Sequence, residues 1–110
     1  MKLSIIILNY KSRNLTKQCI KNIENLALPF ELEIIIVDNN SEDGIKFLMK
    51  QEFQQHKFIA SDINLGMGAG NNLGIRGACG EYILVINPDV VVFNGALNKL
   101  INFIDRKSVV

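Results

Sequence analysis

A chain of 110 residues, 48% hydrophobic and 21% charged, has the material for one small domain around one core. Its formal net charge is +1 with no block of like charges, which excludes the footprint of a nucleic-acid or membrane-surface binder. No apolar run is long enough to span a bilayer, and one histidine with two cysteines outside CxxC spacing leaves little for a histidine triad or zinc site.

The elements follow in order. Met1-Lys2 leads straight into a first strand at Leu3–Leu8, leaving no room for a signal peptide, so a cytoplasmic chain is expected, at most at the inner face of a membrane. In such a reducing setting Cys19 and Cys79 are expected as buried or half-buried free thiols. Asn9-Tyr10 ends the strand and Ser12 offers an N-cap. The next helix carries Leu15, Cys19, Ile23 and Leu26 on one stripe, widened by Ile20 and Ala27, and Leu28-Pro29 closes it. A second strand at Leu32–Val37 runs into Asp38-Asn39-Asn40-Ser41. Ser41 is placed to cap a helix with Glu42 and Asp43 in its first turn and Ile45, Leu48, Met49 and Phe53 buried. His56, between Gln55 and Lys57, reads as solvated, and Lys57–Ala60 as a short third strand.

A glycine-rich segment then precedes the run Tyr82–Ile86, whose unbroken apolar pattern predicts a strand buried on both faces. Pro88 stops that strand and leaves the carboxylate of Asp89 just past its carboxyl end. A carboxylate there, with no cation near it in sequence, suits a turn aspartate or a ligand for a metal and a phosphate. A last helix opens at Asn94, with Leu97, Leu100, Ile101 and Ile104 on one face.

Strand–helix alternation of this kind predicts right-handed βαβ units: an α/β, Rossmann-like parallel sheet with helices on both faces, as a single domain over 1–110. In such sheets ligands sit beyond the carboxyl ends of the strands. The polar strand ends Asn9-Tyr10, Asp38–Ser41 and Asn87–Asp89 are therefore expected to converge on a binding crevice. The glycine segment fits neither of two familiar phosphate loops. Asn71 stands where GxGxxG needs its last glycine, and no Gly-Lys-Ser/Thr follows. Gly66, Gly70, Gly74 and Gly77 instead recur on one face of a helix. Each interior glycine costs about 1 kcal/mol against alanine, so the stripe calls for close approach to the sheet or to a ligand.

Four segments carry a resemblance: LSIIILNYKS at 3–12, EIIIVDNNSEDG at 33–44, NLGMGAGNNLGI at 64–75 and GEYILVINPDVVV at 80–92. In this order and spacing the chain resembles the nucleotide-sugar-binding half of a family 2 glycosyltransferase of the GT-A fold. The resemblance implies an inverting transfer of a sugar from a nucleoside diphosphate donor to a glycan or lipid-linked acceptor. It implies that Asp38 and Asn39 hold the base, with Asn9 and Tyr10 beside it. In the glycine-rich pattern Asn64, Gly66, Asn72 and Gly74 match, Gly70 lies on the close-approach face, and Asn71 replaces an arginine expected near the diphosphate. The motif Asn87-Pro88-Asp89 stands in for the family's DXD-like motif, which makes Asp89 the implied ligand for Mg2+ or Mn2+. With VDNNS it is similar to the rhamnosyltransferase-like branch, implying a dTDP-rhamnose-like or UDP-sugar donor.

The family's acceptor-binding half, with its general-base carboxylate, has no counterpart here, so donor binding without turnover is expected of these residues. The alternative is a nucleotide- or dinucleotide-binding domain without transferase activity. An oxidoreductase would need a glycine turn after the first strand, where NYKS stands, and a receiver-like domain would need a lysine partner for its acids. Finally, a strand at 81–87 on the side of the sheet would offer a bare apolar edge. Self-association through 81–92 is therefore expected, unless the 94–106 helix or the Ser108–Val110 tail covers it.

Overall fold

The computed structural model describes residues 1–108, with side-chain surroundings through Asp105; Val109 and Val110, the end of the tail just mentioned, lie outside them. The elements are β1 (Leu3–Asn9), α1 (Arg13–Glu24), β2 (Leu32–Asp38), α2 (Ile45–Glu52), β3 (Lys57–Ala60), α3 (Gly66–Arg76), β4 (Tyr82–Ile86) and α4 (Ala96–Ser108). The strands form one parallel sheet in the order β3-β2-β1-β4. The Rossmann-like α/β expectation holds.

The order explains where the helices go. From β1 to β2 to β3 the chain steps one way; from β3 it returns across the sheet to β4. Right-handed crossovers then put α1 and α2 on one face and α3 on the other. The larger core confirms this: Leu3, Ile5, Ile7, Ile34 and Ile36 pack with Ile20 and Ile23 of α1, Ile45 and Met49 of α2, and Leu97 and Ile101 of α4. The opposite face is thinner, with Ile6, Ile35 and Val37 covered by Leu73, Leu8 and Ile59. The two central strands are thus covered on both faces, which is why both read as unbroken runs of isoleucine. Full burial of each such side chain contributes about 1.5–3 kcal/mol.

The glycine stripe is what lets α3 lie so close. A Cβ on Gly74 would stand 2.6 Å from Ile6 Cγ2 and 3.1 Å from Val37 Cγ2, and one on Gly70 2.8 Å from Leu8 Cδ1. Gly80 is tighter still. Its Cβ would fall 2.5 Å from the Ser4 backbone nitrogen, so only glycine lets the chain enter β4 beside β1.

Several local expectations are corrected. Leu15 is 46% exposed while Thr16 takes the buried position, and α1 ends at Glu24, before Leu26 and Ala27. Ser12 does stand at the N-cap of α1, but without a side-chain capping bond; its hydroxyl donates to the Tyr10 carbonyl. Ser41 does not cap α2, which begins only at Ile45 after Gly44 at φ +86°; Asp43 receives the Ile45 N–H instead. Asn94 lies before α4 and accepts from the Ala27 N–H, and Leu100 is exposed. His56 is half-buried and paired with Glu24 at 2.7 Å rather than solvated. Cys19 is buried as expected, but Cys79 is exposed. Most consequential, β4 is covered on one face only: Ile83 and Val85 are 44% and 40% exposed. They lie on the α3 face, and α3 sits over β1 and β2, short of the edge.

Candidate functional site

Beyond the carboxyl ends of β1, β2 and β4 lies the switch point of the sheet, where neighbouring strands connect in opposite directions. Asn9 and Asp38 are not loop residues, as the sequence suggested. They form the last rung of the β1–β2 ladder, one residue beyond the expected strand ends. Asn9 is fully buried. Its Nδ2 lies 3.2 Å from Asp38 Oδ1, 3.0 Å from Ser41 Oγ and 3.1 Å from Asp43 Oδ2, and its Oδ1 accepts from the Thr16 hydroxyl at 2.7 Å. Ser41 also donates to Asp38 Oδ1. One asparagine thereby pins the β2–α2 loop to β1 and α1. Spacing could not reveal this, because its partners lie some thirty positions away.

That network uses one oxygen of Asp38. Among the described residues no hydrogen bond falls on Oδ2, in a residue that is 8% exposed. Asn39, 2% exposed, turns the other way. Its Oδ1 accepts from the Leu65 N–H at 2.8 Å and its Nδ2 donates to the Gly66 carbonyl at 3.1 Å, tying the loop to the start of α3. Asn64 accepts from the Gly66 N–H at 2.8 Å, fixing the first turn. Gly66 begins α3 at φ +82° with open space around it, whereas Gly70 lies against Leu8 and Asn39. Asn71 is half-buried, and its Oδ1 has no partner among the described residues. Tyr10 is exposed.

The third strand end is a turn. Val90 N–H donates to the Asn87 carbonyl at 3.1 Å with Pro88 and Asp89 between, the position where proline sets the backbone. Asn87 and Asp89 are exposed. Asp89 lies near α1: burial, then the charge of Asp89, pushes the Cys19 thiol up to about 11. Among the described residues no group of three or more His, Cys, Asp or Glu is placed to hold a metal. Asp89, the ligand that the resemblance implies, offers one hard carboxylate. That fits Mg2+ or Mn2+ where a phosphate and water supply the other ligands, the usual way such ions are held on phosphorylated substrates.

Sequence reading gave no hint of the backbone strain here. Lys11, Asn40 and Glu42 all have positive φ, at 53°, 62° and 53°, and all sit in the two loops that Asn9 joins. Non-glycine residues in that region cost of order 1–3 kcal/mol and cluster at functional sites.

Comparison with known proteins bears on the family and the fold. The family model for glycosyl transferase family 2 matches residues 4–110. The chain is 35% identical over 108 residues to a poly(ribitol-phosphate) beta-glucosyltransferase of Bacillus spizizenii, covering 94% of this chain and 17% of that protein. It is 31% identical over 103 residues to a GalNAc(5)-diNAcBac-PP-undecaprenol beta-1,3-glucosyltransferase of Campylobacter jejuni, covering 90% and 33%. The chain thus spans a third or less of these relatives. Among solved structures, S. aureus TarS 1-349 in complex with UDP superposes with a TM-score of 0.83 at 24% identity, over 96% of this chain and 32% of that one. A mannosyltransferase from Pyrobaculum calidifontis in complex with GDP-Man and Mn2+ gives 0.78 at 22%, over 94% and 31%. At these identities the likeness concerns the fold. Among the described residues no helix is long and apolar enough to cross a membrane. Sheet order, strand-end polar residues and a family match over nearly the whole chain agree: this chain belongs to glycosyl transferase family 2.

Proposed function

We propose that this chain binds the nucleoside diphosphate sugar donor of a glycosyltransferase, with the base at Asp38 and the diphosphate toward Asp89. The observation that carries the reading is the state of Asp38. One carboxylate oxygen is fixed by Asn9 and Ser41, which orients the group at the end of β2, while the other has no hydrogen-bond partner among the described residues. An oriented carboxylate oxygen accepts the N3–H of a pyrimidine, a donor that uracil and thymine share. With the resemblance, the reading takes UDP- or dTDP-linked sugars as donors, the latter including the rhamnose-type donor that the NPD motif suggests. Relatives named for poly(ribitol-phosphate) and undecaprenol-linked substrates support a glycan or lipid-linked acceptor.

Each residue has a task in binding. Asn9 holds Asp38 in place. Asn39 ties the base loop to α3, so that the start of this helix keeps its position beside the crevice. Asp89 supplies the protein ligand for Mg2+ or Mn2+. Such an ion, when bound, neutralises charge on the departing diphosphate.

Calorimetry with UDP, dTDP and GDP, each with and without Mn2+, tests the reading. The pyrimidine diphosphates should bind more tightly than GDP and more tightly with Mn2+. Asp38→Ala should weaken pyrimidine binding about ten- to a hundredfold, the worth of one hydrogen bond to a charged group. Asp89→Ala should abolish only the metal-dependent part. Equal affinities for parent and Asp89→Ala in Mn2+ would remove Asp89 from the site.

A further inference from the structure

The segment that carries Asp89 has little regular structure to hold it. Between β4 and α4, residues 87–93 join no strand or helix, and the Asn87–Val90 turn is closed by a main-chain bond within itself. A cavity of about 60 Å3 separates Pro88 and Asp89 from Leu15, Cys19 and Asn22 of α1, so close packing does not wedge the turn against that helix. Just past the cavity the main chain is held by a side chain. Asn22 Nδ2 donates to the Val92 carbonyl at 2.9 Å, and Asn22 Oδ1 accepts from the Val92 N–H at 2.8 Å. A side-chain amide offers the donor and acceptor of a peptide group, so Asn22 pairs with Val92 as a neighbouring strand would. The Ala27 N–H, donating to Asn94 Oδ1 at 3.2 Å, adds a tie just beyond the end of α1. Asp89 is thus carried on a short span between two fixed points, Ile86 at the end of β4 and Val92 on Asn22.

Taking Asp89 as the protein ligand for Mg2+ or Mn2+, as proposed above, we infer that Asn22 is its positioning residue: the clamp on Val92 sets where the carboxylate stands. A carboxylate on a loose span is placed for the ion only part of the time, and apparent affinity falls by that fraction. Val92 engages both ends of the Asn22 amide, so this residue acts through the main chain of the loop. Aspartate at the same position would lack the donor, and leucine would lack donor and acceptor alike.

Calorimetry of UDP binding with and without Mn2+ tests this, read as the ratio of the two affinities. The parent should gain affinity with Mn2+, and Asp89→Ala should remove the gain. Asn22→Ala should cut the gain by about three- to tenfold, within the worth of two neutral hydrogen bonds, and leave metal-free UDP affinity unchanged. Ile23→Val, at a neighbouring α1 position only 2% exposed, should lower the melting temperature yet keep the full gain. Independently of any variant, hydrogen exchange at the Val92 amide of the parent should slow more with UDP and Mn2+ than with UDP alone, because ion binding and the clamp favour each other. An Asn22→Ala protein with the parent's gain, or a Val92 amide indifferent to Mn2+, would overturn the role of Asn22 and leave that of Asp89 standing. Equal losses of metal-free and metal-bound affinity in Asn22→Ala would make Asn22 a structural residue only. A parent without the gain, or a gain that survives Asp89→Ala, would overturn the reading of Asp89 and the role of Asn22 with it.

Discussion

Asn9 shows how much of this site is decided by a single amide. Its side chain is a hydrogen-bond hub facing two carboxylates, Asp38 and Asp43, and the Thr16 hydroxyl. A neutral amide can donate to both acids; a carboxylate in its place cannot. Asn9→Asp keeps the shape and adds a buried negative charge beside two others. We expect it to destabilise the domain by about 1–3 kcal/mol or more, the cost of unsatisfied buried groups increased by charge. The loss should be greater at neutral pH than near pH 4, where carboxyls begin to take up protons. Urea denaturation at the two pH values checks this; an equal loss at both would show that charge is not the cause.

At the scale of elements, α3 sits where it does because its glycines leave room, and the positions differ in what they touch. Gly70 faces the flexible end of Leu8, while Gly74 faces the branched carbons of Ile6 and Val37. Leu8 can move aside; Ile6 and Val37 are fixed at χ1 within the sheet. Valine at either position overpacks the interface, at a cost of about 1–3 kcal/mol. Gly74→Val is expected to be the worse of the two. Thermal melts of both variants test the order, and an unchanged melting temperature for Gly74→Val would contradict the packing of α3 described above.

For the molecule as a whole, Glu33 joins more of the sheet than any pattern in the sequence suggests. Its Oε1 accepts from Lys57 Nζ of β3 at 2.8 Å, and its Oε2 from Ser4 Oγ of β1 at 2.5 Å and the Cys79 N–H at 2.6 Å. Ser4 in turn receives the Gly80 N–H at the entrance to β4. Burial alone would raise the Glu33 carboxyl, but Lys57, Ser4 and the Cys79 amide outweigh it and hold the group below its ordinary 4.5. Folding thus favours the ionised form. The stabilisation is fully present above pH 4.5 and is lost as pH falls below it through the folded value. Glu33→Gln should therefore cost stability at pH 7 and less at pH 3, with the parent's acid transition flattened. Melting curves across that range would show it, and a mutant that tracks the parent in parallel would exclude Glu33 as a source of acid sensitivity.

The sequence by itself determined the order and kind of every element, the parallel sheet and the family. Those follow from local chemistry: branched apolar runs, polar residues at strand ends, and a glycine period that only a closely packed helix explains. It located Asn9, Asp38, Asn39, Asn87 and Asp89 at the carboxyl edge for the same reason. What it left undecided depends on contacts between distant positions. Ser41 looked like a helix cap because serine before an acidic turn usually is one, yet a buried asparagine thirty-two residues away claims its hydroxyl. Tyr82–Ile86 looked buried on both faces because its composition matches that of the central strands. Only the strand order shows that it lies at the edge, with no helix of the described residues packed over Ile83 and Val85. Composition records how apolar a strand is; which neighbours cover it is a property of the tertiary structure.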